Sequence, residues 1–165
     1  MRERLNGIFH NVNEWLKFAE AKHGVLVVLN SGIAFGLLTI YKEYQDEINF
    51  KTLFIALTGI SFSIVITLIS LFPRSSSSKV KRKKNQKINL YFTGHLALLS
   101  VEEFKEELLK IDSFYEFDRL EEDLMAEIIR NASIASKKYM FFRYAVLLTI
   151  TSLSVPLVYI LSTHL

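Results

Sequence analysis

The side chains that could do chemistry are few in this sequence and widely spaced. The chain has no cysteine, which excludes a disulfide framework, a thiolate nucleophile and a cysteine-based zinc or iron–sulfur site. No two of its four histidines stand four residues apart, the spacing that places two zinc ligands on one helix face. A serine elbow and a Walker loop are also missing from the sequence. We therefore predict a protein that is not an enzyme and holds no metal or cofactor.

Apolar residues dominate the elements that must position these side chains. The 165 residues are 50% hydrophobic, with a mean hydropathy of +0.25, which excludes a disordered tail and disfavours an ordinary soluble domain. Crossing a bilayer takes about 20 largely apolar residues. Three stretches contain no acid, lysine or arginine, and we predict three transmembrane helices within them: His23–Tyr41, Thr52–Pro73 and Tyr144–Leu165.

The N-terminal segment 2–22 carries apolar residues at helical spacing, among them Leu5, Ile8, Val12 and Ala19. No proline separates this segment from the first span, so we predict one long helix that is amphipathic before it enters the membrane. The segment lacks the apolar core and cleavage site of a signal peptide, and we expect the N-terminus to be retained.

Small and polar residues interrupt the first predicted span. Gly32 and Gly36 form a GxxxG spacing, which lets a second helix approach closely. We predict that these two glycines and Asn30 are helix-packing residues. Their partner is either another span of the same chain or a second copy in a homo-oligomer, and the sequence leaves both open.

A basic segment, residues 74–87, predicts the topology. It is rich in lysine and arginine and contains no acid, and basic residues near membrane ends stay on the cytoplasmic side. We therefore expect a cytoplasmic N-terminus, an outer loop at 42–51 and an outer C-terminus. The segment also suits anionic lipid, and because it has no interleaved aromatic residues we expect no nucleic-acid binding.

The region between the basic segment and the last span predicts a small helical body. Ser100 with Glu103 has the spacing of a capping box and predicts a helix over about 101–111. The predicted organisation is all-α, in chain order: a cytoplasmic amphipathic helix (1–23), a first span (24–41), an outer loop (42–51), a second span (52–73), a basic linker (74–87), a cytoplasmic helical sensor region (88–143) and a third span (144–165).

A second capping box is predicted at Ser113 and Glu116, opening another helix from about residue 114. No break separates that helix from the third span, so we predict one very long helix with a kink at Pro156.

Four segments, in order along residues 15–160, resemble the Pycsar transmembrane effectors. Each is similar to a short motif of that family: an acidic-x-Lys entry to the first span, an Arg-Pro-Arg-like exit from the second, an aromatic-Gly-His segment, and a Lys-Tyr that leads into the last span. Phe72 replaces the first arginine of the exit motif. The segments are Phe18–Gly24 with Asn30–Gly32, Pro73-Arg74, Tyr91–His95 with Leu99-Ser100, and Ser136–Tyr139 before Arg143.

The resemblance implies a bacterial anti-phage effector of the abortive-infection type in the inner membrane. A partner pyrimidine cyclase would make a cyclic mononucleotide, cCMP or cUMP. The cytoplasmic region would sense that nucleotide, and the spans would then impair the lipid bilayer of the inner membrane.

A bound cyclic mononucleotide needs a cation or donor for its phosphate and an aromatic face for its base. We predict that these groups come from an aromatic set and a basic set. Each member also has an ordinary role as a core residue or an interfacial anchor, which the sequence leaves open. The predicted ligand residues are Trp15, Lys22, Arg74, Tyr91, Phe92, His95, Lys138 and Tyr139.

A ligand-independent membrane anchor is the alternative function. It would recruit a cytoplasmic partner through the acidic stretch 101–127, although such charge runs are more often solvated helix faces. A neighbouring nucleotide cyclase gene favours the sensor, and its absence favours the anchor.

Overall fold

A computed structural model describes residues 1–45, 48–72 and 88–164 of the chain. Within these ranges every regular element is a helix, as the sequence predicted. The basic linker 74–87, which includes the predicted ligand residue Arg74, lies outside the described residues. The helices are α1 (Arg2–Glu43), α2 (Phe50–Leu71), α3 (Thr93–Leu96), α4 (Val101–Leu109) and α5 (Arg119–His164).

Three of the helices, α1, α2 and α5, are long and apolar enough to cross a membrane, which confirms three predicted spans. Both long helices are continuous: α1 has 42 residues and α5 has 46, with Pro156 inside α5. A helix rises about 1.5 Å per residue, so each exceeds the hydrocarbon core in length and extends beyond it.

Two compact units divide the chain, and both long helices contribute to each. We call them the head unit, formed by Met1–Ala19 and Pro73–Tyr139, and the span unit, formed by Glu20–Phe72 and Met140–Leu165.

The head unit encloses a hydrophobic core that the helical spacing of the N-terminal segment predicts. The apolar face of α1 packs there with α4, the first half of α5 and Leu96 of α3, because burial together removes their apolar side chains from water. Its buried side chains are Leu5, Ile8, Val12, Leu96, Leu99, Phe104, Leu108, Met125, Ile128 and Ala132.

One of the two predicted helix starts in the head unit is confirmed and the other is wrong. The capping box of Ser100 and Glu103 is present at the start of α4. The second box forms at Asp118 and Glu121, so α5 begins at Arg119 and not near residue 114. Asp118 Oδ1 accepts from Glu121 N at 2.8 Å, and Glu121 Oε2 accepts from Asp118 N at 3.2 Å. Asp118 and Glu121 match the same capping pattern five residues after Ser113 and Glu116, and the cap that forms is the carboxylate of Asp118.

The span unit packs around small and polar residues. Asn30, on α1, is fully buried and bonds to Ser63 of α2 and Thr149 of α5. Gly59 of α2 faces Ser152 of α5 so closely that a Cβ on Gly59 would overlap the Ser152 hydroxyl. This is how a bundle with apolar surroundings holds together, since close backbone approach and hydrogen bonds replace the hydrophobic effect between its helices.

The GxxxG glycines do not make this close approach. A Cβ placed on Gly32 or Gly36 would meet no described atom within 4 Å, whereas Gly59 supplies the tight contact. The intramolecular alternative for the GxxxG spacing therefore finds no support in the described residues. Self-association through Gly32 and Gly36 stays a prediction.

Candidate functional site

An aromatic cavity of about 310 Å³ lies within the head unit. It opens to the surface, because Trp15 and Phe92 in its wall are 43% and 55% exposed. Its walls come from α1, from α3 with the residue before it, and from the middle of α5. The lining residues are Trp15, Phe92, Thr93, Gly94, Ser136 and Tyr139.

Two long helices set the positions of Trp15 and Tyr139. The ring of Tyr139 meets the ring of Trp15 edge to face, with 6.0 Å between centroids, and its hydroxyl donates to the Trp15 carbonyl at 3.4 Å. Asn131 lies two turns earlier on α5 and donates to Asn13 Oδ1 at 3.0 Å. Ser136 shares the face of Tyr139, because residues three apart on a helix are neighbours.

The third wall is a short irregular segment that side-chain hydrogen bonds hold in place. Asn89 N donates to His95 Nδ1 at 3.0 Å, and Tyr91 N donates to Asn89 Oδ1 at 2.9 Å. Asn11 of α1 donates to the Tyr91 carbonyl at 3.0 Å and ties the segment to the helix. Leu96, fully buried in the core, anchors its far end. The backbone before α3 is therefore fixed although it belongs to no long element.

Gly94 is required for the packing of the Phe92 ring. A Cβ on Gly94 would lie 2.7 Å from Phe92 Cε1 and 3.0 Å from Cζ, which is closer than real Cβ contacts. The same ring meets His95 edge to face at 4.9 Å. Phe92 therefore lies over the glycine and against the histidine, and it presents its remaining surface to the cavity.

The polar side-chain groups of the lining residues are three hydroxyls and the indole N–H of Trp15. Burial raises the pKa of Tyr139. A tyrosine phenol is neutral at physiological pH even with its ordinary pKa, so Tyr139 is a hydrogen-bond donor. The Thr93 hydroxyl is buried and has no hydrogen-bond partner among the described residues. Buried polar atoms are normally paired, so an unpaired hydroxyl in a cavity wall marks a place where an additional acceptor or donor would be stabilising.

The structure brings together some of the predicted ligand residues and separates others. Three line the cavity: Trp15, Phe92 and Tyr139. Tyr91 and His95 belong to the segment that forms the third wall, where the His95 ring has a local structural role.

Neither Lys22 nor Lys138, the predicted cations that the structure describes, lines the cavity. Lys138 lies in the head unit, largely buried, next to Tyr139. Lys22 belongs to the span unit, where its Nζ lies 5.6 Å from the ring centroid of Phe142. The lining residues thus carry aromatic rings and hydroxyls without formal charge.

Sequence reasoning missed three lining residues: Thr93, Gly94 and Ser136. Thr93 and Gly94 stand inside the aromatic-Gly-His segment, and their neighbours Phe92 and His95 drew attention because aromatic rings and imidazoles have recognisable roles. The signal for Ser136 was its helical spacing of three from Tyr139.

A metal site is not found: among residues 1–45, 48–72 and 88–164, no three histidine or acidic side chains are grouped so that they could hold an ion. Nothing among the curated proteins or the solved structures matches the chain. The family model of the Pycsar effector protein domain, PycTM, matches residues 4–164, nearly the whole chain. The protein therefore belongs to the Pycsar effector family and is an anti-phage membrane effector, in a system whose partner cyclase makes a cyclic pyrimidine nucleotide.

Proposed function

We propose that the head unit binds cCMP or cUMP in its aromatic cavity, and that binding causes the spans to impair the inner membrane. The observation that carries the proposal is the cavity itself, in which Trp15, Phe92 and Tyr139 meet. Its volume of about 310 Å³ suits a small ligand, at the lower end of the range of about 300–1,000 Å³ for small-molecule sites.

The cavity offers what a nucleobase needs. A base can stack on an aromatic side chain, which contributes about 1–3 kcal/mol per base. The hydroxyls of Thr93 and Ser136 line the cavity and can bond the polar edge of a pyrimidine, where an unmatched buried polar group would cost free energy. A pair of rings with hydroxyls beside them therefore accommodates one base and its ribose.

The phosphate needs a cation from outside the lining residues. Lys138 precedes Tyr139 in the chain and belongs to the same unit, and Arg74, which lies outside the described residues, is the other predicted candidate. A single negative charge near either side chain would be favourable, more so at a partly buried position. We assign the phosphate to these two residues as a prediction.

Binding in the head unit can influence the spans because α1 and α5 contribute to both units. A ligand shifts an equilibrium only as far as its affinity differs between the two states. The proposed effector thus has two arrangements of its spans, and the nucleotide binds more tightly when they adopt the one that damages the membrane. The N-terminus and the basic linker face the cytoplasm in this proposal, where the cyclase product is made, and the C-terminus lies outside.

The fluorescence of Trp15 tests the binding step directly, because this is the only tryptophan in the chain and it lies in the cavity wall. Detergent-purified protein is titrated with cCMP, cUMP, cAMP and cGMP. We expect a saturable change with one of the two pyrimidine nucleotides, and a thermal shift that corresponds to about 2.7 kcal/mol at 100 times the dissociation constant.

A matched pair of variants places the binding site. Phe92 lines the cavity. Phe18 does not line the cavity, although its ring centroid lies 6.2 Å from that of Trp15. We expect Phe92→Ala to weaken binding about tenfold or more, as loss of a stacking partner does, and Phe18→Ala to bind like the parent. Equal binding by both variants would place the nucleotide elsewhere.

The anchor function is the second candidate. Phe114, 95% exposed, lies within the acidic stretch 101–127 and would suit a cytoplasmic partner. If none of the four nucleotides binds the parent protein, this function replaces the sensor.

A further inference from the structure

A second cavity, of about 240 Å³, lies within the span unit and is lined almost wholly by apolar side chains. It is formed by the later part of α1, the first turns of α2, and α5 around its proline. Residues that define it include Leu37, Tyr41, Ala56, Leu153, Pro156 and Leu157.

The lining side chains are mostly large, and the space remains open at Ala56 and Pro156. Ala56 of α2 is fully buried, yet its methyl group fills little of the space between the helices. Pro156 on α5 contributes only its ring, and it has no N–H to donate to the preceding turn, which loosens the helix at that point. Tyr41 is turned toward α2, with its ring centroid 6.1 Å from that of Phe50.

The surroundings of this cavity indicate what fills it. All three helices that line it are apolar enough to cross a bilayer, so the medium next to them is hydrocarbon. An apolar cavity does not hold water, because a buried water needs two to four polar partners. Leu157 in the wall is 62% exposed, so the cavity is open to the lipid side.

We propose that this cavity binds one acyl chain of a bilayer phospholipid. An acyl chain is flexible, apolar and always present at such a position, and its contacts replace those that an empty cavity lacks. The proposal depends on membrane insertion and not on nucleotide binding.

The ends of the cavity suit the rest of the phospholipid. Tyr41 and Tyr159 line it, and tyrosine is enriched at the interface between hydrocarbon and headgroups. Lys42 follows Tyr41, and Lys51 precedes the lining residue Leu53 by two positions. A headgroup phosphate would find lysine donors near this end, with the acyl chain extending toward Ala56 and Leu153.

Two neighbouring residues on α5 give a matched test. Leu157 lines the cavity and is 62% exposed, whereas Val158 is 64% exposed and does not line it. Leu157→Trp narrows the cavity, and Val158→Trp places the same ring outside it. Ala56→Val narrows the cavity from α2 by a smaller amount, which guards against a variant that fails to fold.

The full chain and its variants are taken from vesicles of phosphatidylglycerol and phosphatidylethanolamine into mild detergent, without nucleotide, and retained phospholipid is measured by native mass spectrometry. We expect the parent and Val158→Trp to retain one phospholipid per chain. Leu157→Trp should retain it about tenfold more weakly, since excluding about two methylenes has that effect, and Ala56→Val should be weakened in the same direction.

Three results would overturn the proposal. The first is that the parent retains no phospholipid. The second is that Leu157→Trp and Ala56→Val both retain phospholipid like the parent. The third is that the parent is a lipid-free dimer that Leu157→Trp dissociates. The last result would assign the cavity to a second copy of the chain. None of them bears on the nucleotide titration, so this proposal and the proposed function fail separately.

Discussion

The side-chain amide of Asn30 accepts a hydrogen bond from Thr149 Oγ1 at 2.9 Å and donates one to Ser63 Oγ at 2.9 Å. One buried residue of α1 is thereby joined to both α2 and α5. Ser63 also donates to the Ala145 carbonyl at 2.8 Å, so the network includes the backbone of α5. Polar groups in a membrane bundle are stabilising only when paired in this way, and the network fixes the register of the three helices.

We expect Asn30→Ala to destabilise the span unit by about 1–2 kcal/mol, the upper range for hydrogen bonds between membrane helices. Ser63 and Thr149 keep the Ala145 carbonyl as an acceptor, so neither is left unpaired. Ser31→Ala is the control, because the exposed Ser31 hydroxyl donates to the Val27 carbonyl of its own helix and bonds to no other helix among the described residues. Thermal unfolding in detergent measures the stability of both variants. If both lose the same stability, the hydrogen-bond network of Asn30 does not stabilise the span unit.

The contact of Gly59 with Ser152 gives a second prediction. Gly59→Ala should destabilise the bundle by about 1–3 kcal/mol, the usual effect of overpacking, because the new methyl group overlaps the Ser152 hydroxyl. The double variant with Ser152→Ala should recover part of that loss, since the Ser152 Cβ would still lie 3.1 Å away. A double variant as unstable as the single one would indicate another cause.

The GxxxG glycines provide the control for Gly59. Gly32→Ala and Gly36→Ala should not destabilise the monomer, because a Cβ there meets no described atom within 4 Å and alanine is the better helix former. Gly32→Leu with Gly36→Leu should insert normally but lose toxicity if self-association uses this face. A double variant that inserts and still kills would exclude that role.

The spans could be predicted because the length of an uncharged apolar stretch can be read directly from the sequence. The small residues that make the close contacts could not be predicted. Gly32, Gly36 and Gly59 are equivalent in the sequence, and only the rotation of each helix about its axis decides which of them faces a neighbouring helix. The face of α1 in the head unit was predictable from its period, and Leu5, Ile8 and Val12 are buried as expected.

The candidate site was predictable only in part. Aromatic residues drew attention by type, and Trp15, Phe92 and Tyr139 do line one cavity although they are far apart in the chain. Long-range juxtaposition of this kind has no local signal. The roles of Thr93 and Gly94 depend on the backbone geometry at the start of α3. Ser113 and Asp118 both fit the short capping pattern, so the pattern alone could not tell that the cap forms at Asp118.

The start of α5 gives a third prediction. Asp118→Ala should destabilise the head unit by about 1 kcal/mol, because it removes the acceptor of the Glu121 N–H at the first turn. Ser113→Ala is the matched control at the position where the sequence predicted a cap, and we expect almost no change. Chemical denaturation followed by the circular dichroism of the full chain distinguishes them. A larger loss for Ser113→Ala would contradict the cap assignment.

The topology gives a fourth prediction, which the absence of native cysteine makes simple to test. Cysteine placed at Gln45 should react with an impermeant thiol reagent in intact cells, because the predicted orientation puts the loop after α1 outside. Cysteine placed at Ser76 should react only after permeabilisation, since basic residues near a span stay on the cytoplasmic side. Reversed labelling of the two sites would overturn the orientation.

The last prediction separates sensing from membrane damage. Gly94→Ala should lose both nucleotide binding and depolarisation, because its methyl group would displace the Phe92 ring from the cavity wall. Tyr91→Ala, His95→Ala and Lys138→Ala should insert normally and lose nucleotide-triggered depolarisation. Gly7→Ala is the control, as a Cβ there meets no described atom within 4 Å.

Ile134→Pro should act differently, because it breaks α5 within the head unit, before the helix continues into the span unit at Met140. Proline inside a helix removes one hydrogen bond and costs about 3 kcal/mol or more. Ser136 and Tyr139 follow Ile134 on α5 and line the cavity, so the variant tests the connection only where the nucleotide still changes Trp15 fluorescence, and we then expect the membrane to stay polarised. Ile134→Ala keeps the helix and should behave like the parent in both measurements. If Ile134→Pro binds nucleotide and depolarises the membrane like the parent, then an unbroken α5 is not what connects the head unit to the spans.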